Sequence, residues 1–125
     1  MTDDIRLRDE PKRTGTINIV WGDGEHTFRL PIEQLEEHGE KLNRGPLAVL
    51  RRLDSGDWEP REIYETVRLG LIGGGMAPVA ALGLARRYCL DRPLTESLPV
   101  ATAVLGAALF GVPVESGAEP EPVNG

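Results

Sequence analysis

Cysteine is nearly missing from this chain. Cys89 is the only one, so neither an internal disulfide nor a cysteine-based zinc site can form. It sits in ARRYCLD beside apolar residues and reads as a small buried filler. Lysine is almost as scarce, with only Lys12 and Lys41, and the formal net charge is −6. Such a balance disfavours nucleic-acid binding, whose affinity comes largely from neutralising phosphates. The remaining cations are arginines, including the pairs Arg51-Arg52 and Arg86-Arg87. These pairs read as solvated faces or protein-contacting forks, and a DNA-binding regulator built on them is the least favoured reading. The two histidines, His26 and His38, have no neighbouring cysteine or HExxH frame, so each is expected to be satisfied or exposed and not a metal ligand. No apolar run is long enough to span a membrane comfortably, and the N-terminal MTDDIRLRDE lacks the apolar core of a secretion signal. A soluble, cytoplasmic protein is expected.

What remains is enough for one small domain. The chain has 125 residues, 40% of them hydrophobic. Residues 1–14 and 115–125 are polar, charged or Pro-rich, with too few apolar side chains to offset the entropy of ordering, and are expected to be disordered tails. Residues 15–114 are left to build the core.

Thr16 to Trp21 alternates, with Ile17, Ile19 and Trp21 on one face. His26, Phe28 and Leu30 alternate after it, and Asp23-Gly24 between the two segments is a two-residue hairpin signal. With that turn, Trp21 would face His26, Ile19 would face Phe28, and Ile17 would face Leu30. The rest of the chain carries helix signals. Pro31 opens IEQLEEHG, with Gly39 as its stop. Pro46 opens LAVLRRLDS, in which Leu47, Leu50 and Leu53 recur, and Gly56 ends it. Pro60 opens a third helix with Ile63, Val67 and Leu71 as an apolar stripe and Arg61, Glu62, Glu65 and Arg68 as the polar side. Pro78 opens a fourth that Asp91-Arg92-Pro93 breaks, and a last helix ends at Phe110 before Gly111 and Pro113. The expected fold is α+β and mostly helical: an N-terminal β-hairpin followed by four or five helices.

No catalytic set emerges. The triplet Gly73-Gly74-Gly75 follows a helix and lacks the lysine and hydroxyl residue of a phosphate loop, so it reads as a turn between helices. Glu33, Glu36, Glu37 and Glu40 have no apolar pocket to raise a carboxyl pKa; they form a solvated face or, more sharply, a docking patch for a basic segment. Ser55, Ser97 and Ser116 lack a nucleophile elbow or a base. Trp58 precedes the Pro60 helix, where it can staple the helix start. No catalytic, cofactor or metal residue is therefore expected. Trp58, Leu98, Leu105 and Leu109 read first as core and second as partner contacts.

The order of these features carries a resemblance. A hairpin ending in DGEHTFRL runs into IEQLEEHG, then PLAVLRRLDSGDW, REIYETVRLGLIGGG and DRPLTESLPVATAVLGAALFG. This series resembles the gene transfer agent proteins related to phage tail assembly proteins, described both as tail tube protein and as tail assembly chaperone. The likeness covers about Gly15 to Gly111. It departs at Met76 to Arg87, where MAPVAALGLARR is poorer in acidic residues than the resemblance implies. The resemblance implies a non-enzymatic tail assembly chaperone that binds the tape measure protein, the tail tube protein, or both, with a structural tube or connector subunit as the alternative. A homo-oligomer is compatible with either.

Overall fold

The computed structural model describes residues 12–114. It is an α+β fold dominated by helix, as the sequence pattern predicts. The elements run β1 (Arg13–Thr14), β2 (Ile17–Trp21), β3 (Gly24–Phe28), α1 (Ile32–Leu42), α2 (Pro46–Ser55), α3 (Pro60–Gly73), α4 (Pro78–Ala85), a π-helical turn (Arg86–Leu90), a 3-10 turn (Leu94–Glu96), α5 (Leu98–Phe110) and β4 (Val112–Pro113).

The strands make two separate antiparallel pairs, β2 with β3 and β1 with β4. The β1–β4 pair is unforeseen in the sequence. It takes Arg13 and Thr14 out of the expected N-terminal tail, pairing them with Pro113 and Val112. The rest of that tail, residues 1–11, and the expected C-terminal tail, 115–125, lie outside the described residues.

The β2–β3 hairpin forms where expected, but its register differs by two residues. Ile17 pairs with Phe28, Ile19 with His26, and Trp21 with Gly24. The turn is Gly22-Asp23, not Asp23-Gly24. Gly22 takes the left-handed conformation with φ +65, as a two-residue turn with glycine first requires, and a Cβ there would press on the Tyr88 ring. A slip of two keeps every side chain on its original face, so Trp21 and Phe28 are still buried and Val20 is 80% exposed.

Helix α3 is the centre of the domain. Its buried residues include Ile63, Val67 and Leu71, the predicted stripe, but also Glu62, Thr66 and Leu69 on a second flank. Helices α1, α2, α4 and α5 and strand β3 all pack on it. Fully burying a Leu, Ile or Phe contributes roughly 1.5–3 kcal/mol, so Phe28, Ile63, Leu69, Leu71 and Leu105 form the main apolar mass.

Two helix details differ from the pattern. Helix α1 runs through Gly39 to Leu42 because one more turn buries Leu42, and Asn43 then caps it in the left-handed conformation with its N–H on the Gly39 carbonyl. In α2 the buried residues are Val49, Leu50 and Leu53, whereas Leu47 is 40% exposed, because a helix of 3.6 residues per turn drifts off a strict three-residue repeat.

The glycine triplet ends α3 and leads into the turn, as expected, with Gly73 the last helical residue and Gly74-Gly75 the turn, and its three members act differently. Only Gly75 is left-handed, at φ +114. A Cβ on Gly73 would collide with the Arg29 carbonyl oxygen, and one on Gly74 with that of Thr27. The end of α3 therefore lies backbone to backbone against the exit of β3, where the Arg29 N–H donates to the Gly70 carbonyl at 3.0 Å.

Candidate functional site

In the sequence Glu62 is simply one member of the polar side of α3. In the structure the first turn of that helix is the hub of a buried ion-pair cluster. Pro60 opens α3 with Glu59 as N-cap, and Glu62 completes a reciprocal capping box with it. This geometry points the Glu62 carboxylate inward, where the residue is only 1% exposed. There it accepts hydrogen bonds from Arg52 Nε at 2.8 Å and from the Glu59 N–H at 2.9 Å, and pairs with Arg44 Nε at 3.1 Å. One carboxylate thus holds α2, the α1–α2 link and the start of α3. Of the predicted cation pair, Arg52 belongs to this cluster and Arg51 is exposed. Nearly two turns further along α3, Arg68 pairs with Glu65 at 2.7 Å and with Glu37 at 3.5 Å, which removes Glu37 from the free acidic face.

His38 is fully buried beside this cluster. Its Nε2 lies 2.8 Å from Thr66 Oγ1, whose hydroxyl donates to the Glu62 carbonyl at 2.7 Å. With the hydroxyl proton so used, Nε2–H is the donor to Thr66, and Nδ1 is a bare nitrogen without a partner. Burial lowers the pKa of this ring, against an opposing pull from Glu65 and Glu62.

A second polar contact ties the hairpin to the start of α5. The indole N–H of Trp21 donates to Ser97 Oγ at 2.8 Å, and the Ser97 hydroxyl donates to the Tyr88 carbonyl at 2.9 Å. Tyr88 packs edge-on to Trp21 with ring centroids 5.5 Å apart. The π-helical turn produces this placement, and it turns Cys89 fully inward. Burial pushes the Cys89 thiol up to about 11. His26 lies 2.7 Å from Asp23 at the hairpin tip. Among the described residues no three of His, Cys, Asp and Glu gather as a metal-binding group.

Besides Val20 on β2, uncovered apolar side chains lie on helices. Helices α4 (PVAALGLA) and α5 (LPVATAVLGAALF) carry no charged residue on any face. A helix apolar all round is normally buried all round. Here Val79 of α4 is 83% exposed and Phe110 of α5 is 63% exposed. Ile32, at the start of the acidic helix α1, is 69% exposed. It borders a shallow, open groove lined by Leu35, Gly39 and Pro46, with Glu36 and Glu40 at its rim.

Of the residues singled out as possible partner contacts, Leu105 is fully buried. Trp58, Leu98 and Leu109 are half-buried and pack against the core. The structure does not bring the four together as one exposed patch; Ile32, Val79 and Phe110 are the most exposed large apolar side chains on the helices. The signal for two of them was present in the sequence, since neither α4 nor α5 has any polar stripe to give to solvent. No helix among the described residues is long and apolar enough to cross a membrane.

The family described as phage tail tube protein, GTA-gp10, matches residues 14–111. The chain belongs to this family of gene transfer agent and phage tail proteins, and the match spans β2 to α5 entire. No curated protein and no solved structure matches it.

Proposed function

We propose that this protein is a non-enzymatic tail assembly chaperone that works in the cytoplasm of the producing cell, holding the tape measure protein, the tail tube protein, or both before the tail polymerises. The observation that carries this reading is the uncovered apolar surface on α4, α5 and α1, at Val79, Phe110 and Ile32. Apolar helix faces framed by charge suit the temporary capture of another helix. The strand content supports the same reading. Strands β2 and β3 have five residues each, about 17 Å, which is short for closing a tube by sheet pairing. Co-expression with the tape measure protein of the same tail cluster should give a soluble complex. A tape measure protein that is equally soluble alone, with no complex eluting, would remove the proposal.

The family description favours a second reading, a tube or connector subunit retained in the particle. Protein composition of purified particles separates the two. Stoichiometric, multi-copy presence supports the subunit, and absence from the particle supports the chaperone.

A further inference from the structure

The chain carries two uncovered apolar surfaces of opposite local charge. One is the α1–α2 groove, with Ile32, Leu35 and Pro46 as its apolar wall and the exposed carboxylates of Glu36 and Glu40, one helical turn apart, on its rim. The other is the outer face of α4, where Val79, Ala80 and Gly83 are exposed and Arg86 and Arg87 follow directly, also exposed. Among the described residues neither the two carboxylates nor the two guanidinium groups are in an ion pair.

We infer that the α4 face of one copy seats in the α1–α2 groove of a second copy, with Val79 against Ile32 and Leu35, and Arg86 and Arg87 on Glu36 and Glu40. Chemistry and dimensions agree. Gly83 and Ala80 have no side chain beyond Cβ, so the α4 backbone can lie close to the groove wall, and packed helices approach to about 8–10 Å when the contact residues are small. From Val79 to Arg87 the helix rises about 12 Å, within which the long arginine side chains reach a rim one turn in length. A chain of net charge −6 repels its own copies at distance, so a contact between copies must set its few free cations on acidic groups. The α4–groove pairing does so at one place. Because the two surfaces differ, each copy offers one of each, and the contact either closes reciprocally between two copies or propagates head to tail. The inference uses Val79 and Ile32, on which the chaperone reading also rests, but concerns the protein before it meets a tail partner.

Sedimentation of the full chain alone, from micromolar to near-millimolar concentration, tests it. The mean mass should rise above that of a monomer as the concentration increases. The double variants E36R/E40R and R86E/R87E should each weaken association by at least about tenfold. Mixing the two should restore it, because the exchanged charges complement each other again. V79D should abolish association while leaving the helical circular dichroism unchanged, as Val79 makes little contact with the core. A mass that stays monomeric throughout, or association indifferent to V79D, or variants that do not complement on mixing, would each overturn the inference. A complex with a tail protein in the absence of self-association would overturn it and leave the chaperone reading intact.

Discussion

Glu62 and Arg52 form the tightest long-range ion pair of the α2–α3 junction, with Nε donating to the carboxylate at 2.8 Å and 3.1 Å. The side chain of Glu62 is 2% exposed, while those of Arg52 and Arg44 are 23% and 31% exposed. The carboxylate is therefore the enclosed member, and its two cations are partly wet. Buried pairs contribute little net stability when intact, because desolvation offsets attraction, but removing one member strands the rest.

Replacing Glu62 by Ala should consequently cost about 2–3 kcal/mol, somewhat below the range for a fully enclosed pair because water still reaches both arginines. Denaturant unfolding measures it. A loss of under half a kilocalorie would mean that water replaces the carboxylate freely and that the junction is held by apolar packing alone.

The approach of α3 to the hairpin exit makes a sharp contrast among glycines. Gly73→Ala and Gly74→Ala should each destabilise by about 2 kcal/mol or more, since the clash is with backbone carbonyls that cannot swing aside. Gly106→Ala lies inside α5 with open space at its Cβ and should stabilise by about 0.5–1 kcal/mol. Thermal melts of the three variants decide the matter, and a neutral Gly73→Ala would show that the hairpin does not lie so close to α3.

His38 makes stability depend on pH. Its folded pKa lies below the unfolded value of about 6.5, so below that pH the unfolded chain binds the extra proton. Stability should therefore be full above pH 7 and fall as the pH drops toward 5, with a slope from this group of at most about 1.4 kcal/mol per pH unit. Protonation would also create an Nδ1–H donor with no acceptor. Comparing His38→Gln with the parent chain between pH 7 and 5 isolates the effect. If both lose stability with the same slope, His38 is not its source.

Cys89 should resist thiol reagents in the native state. With its pKa at about 11 against an ordinary 9.0, its thiolate fraction at pH 8 is about a hundredfold lower, and burial limits access further. Native labelling should run at least about a hundredfold slower than labelling in urea. Comparable rates would mean that the π-helical turn opens readily.

Ser97 links Trp21 to the Tyr88 carbonyl. Ser97→Ala leaves a buried indole N–H and a carbonyl unpaired, at a cost of about 1–3 kcal/mol. A quenched or red-shifted tryptophan emission should accompany the lower melting point, and unchanged stability would mean that water takes the place of the hydroxyl.

Much of the architecture is determined by local sequence alone. Alternation places Ile17, Ile19, Trp21 and Phe28 on one face. Pro46, Pro60 and Pro78 open helices at the first position, where a missing N–H costs nothing. Gly56 and Gly111 end helices with positive φ. The lack of charge in α4 and α5 is equally plain in one dimension, and with it the surplus of apolar surface. These follow from period, propensity and backbone freedom, which act over a few residues. Tertiary structure decided the rest. It set the hairpin register, because Gly22 alone fits beneath Tyr88, a residue 66 positions further along the chain. It made Gly73 and Gly74 close-approach residues and not merely a turn, because β3 passes against them. It also drew Glu62 inward from the polar side of α3 and buried His38, which the sequence left as satisfied or exposed. Local sequence cannot foretell burial of an ionisable group, because its cost is met only by partners such as Arg44, Arg52 and Thr66, which arrive when distant segments pack.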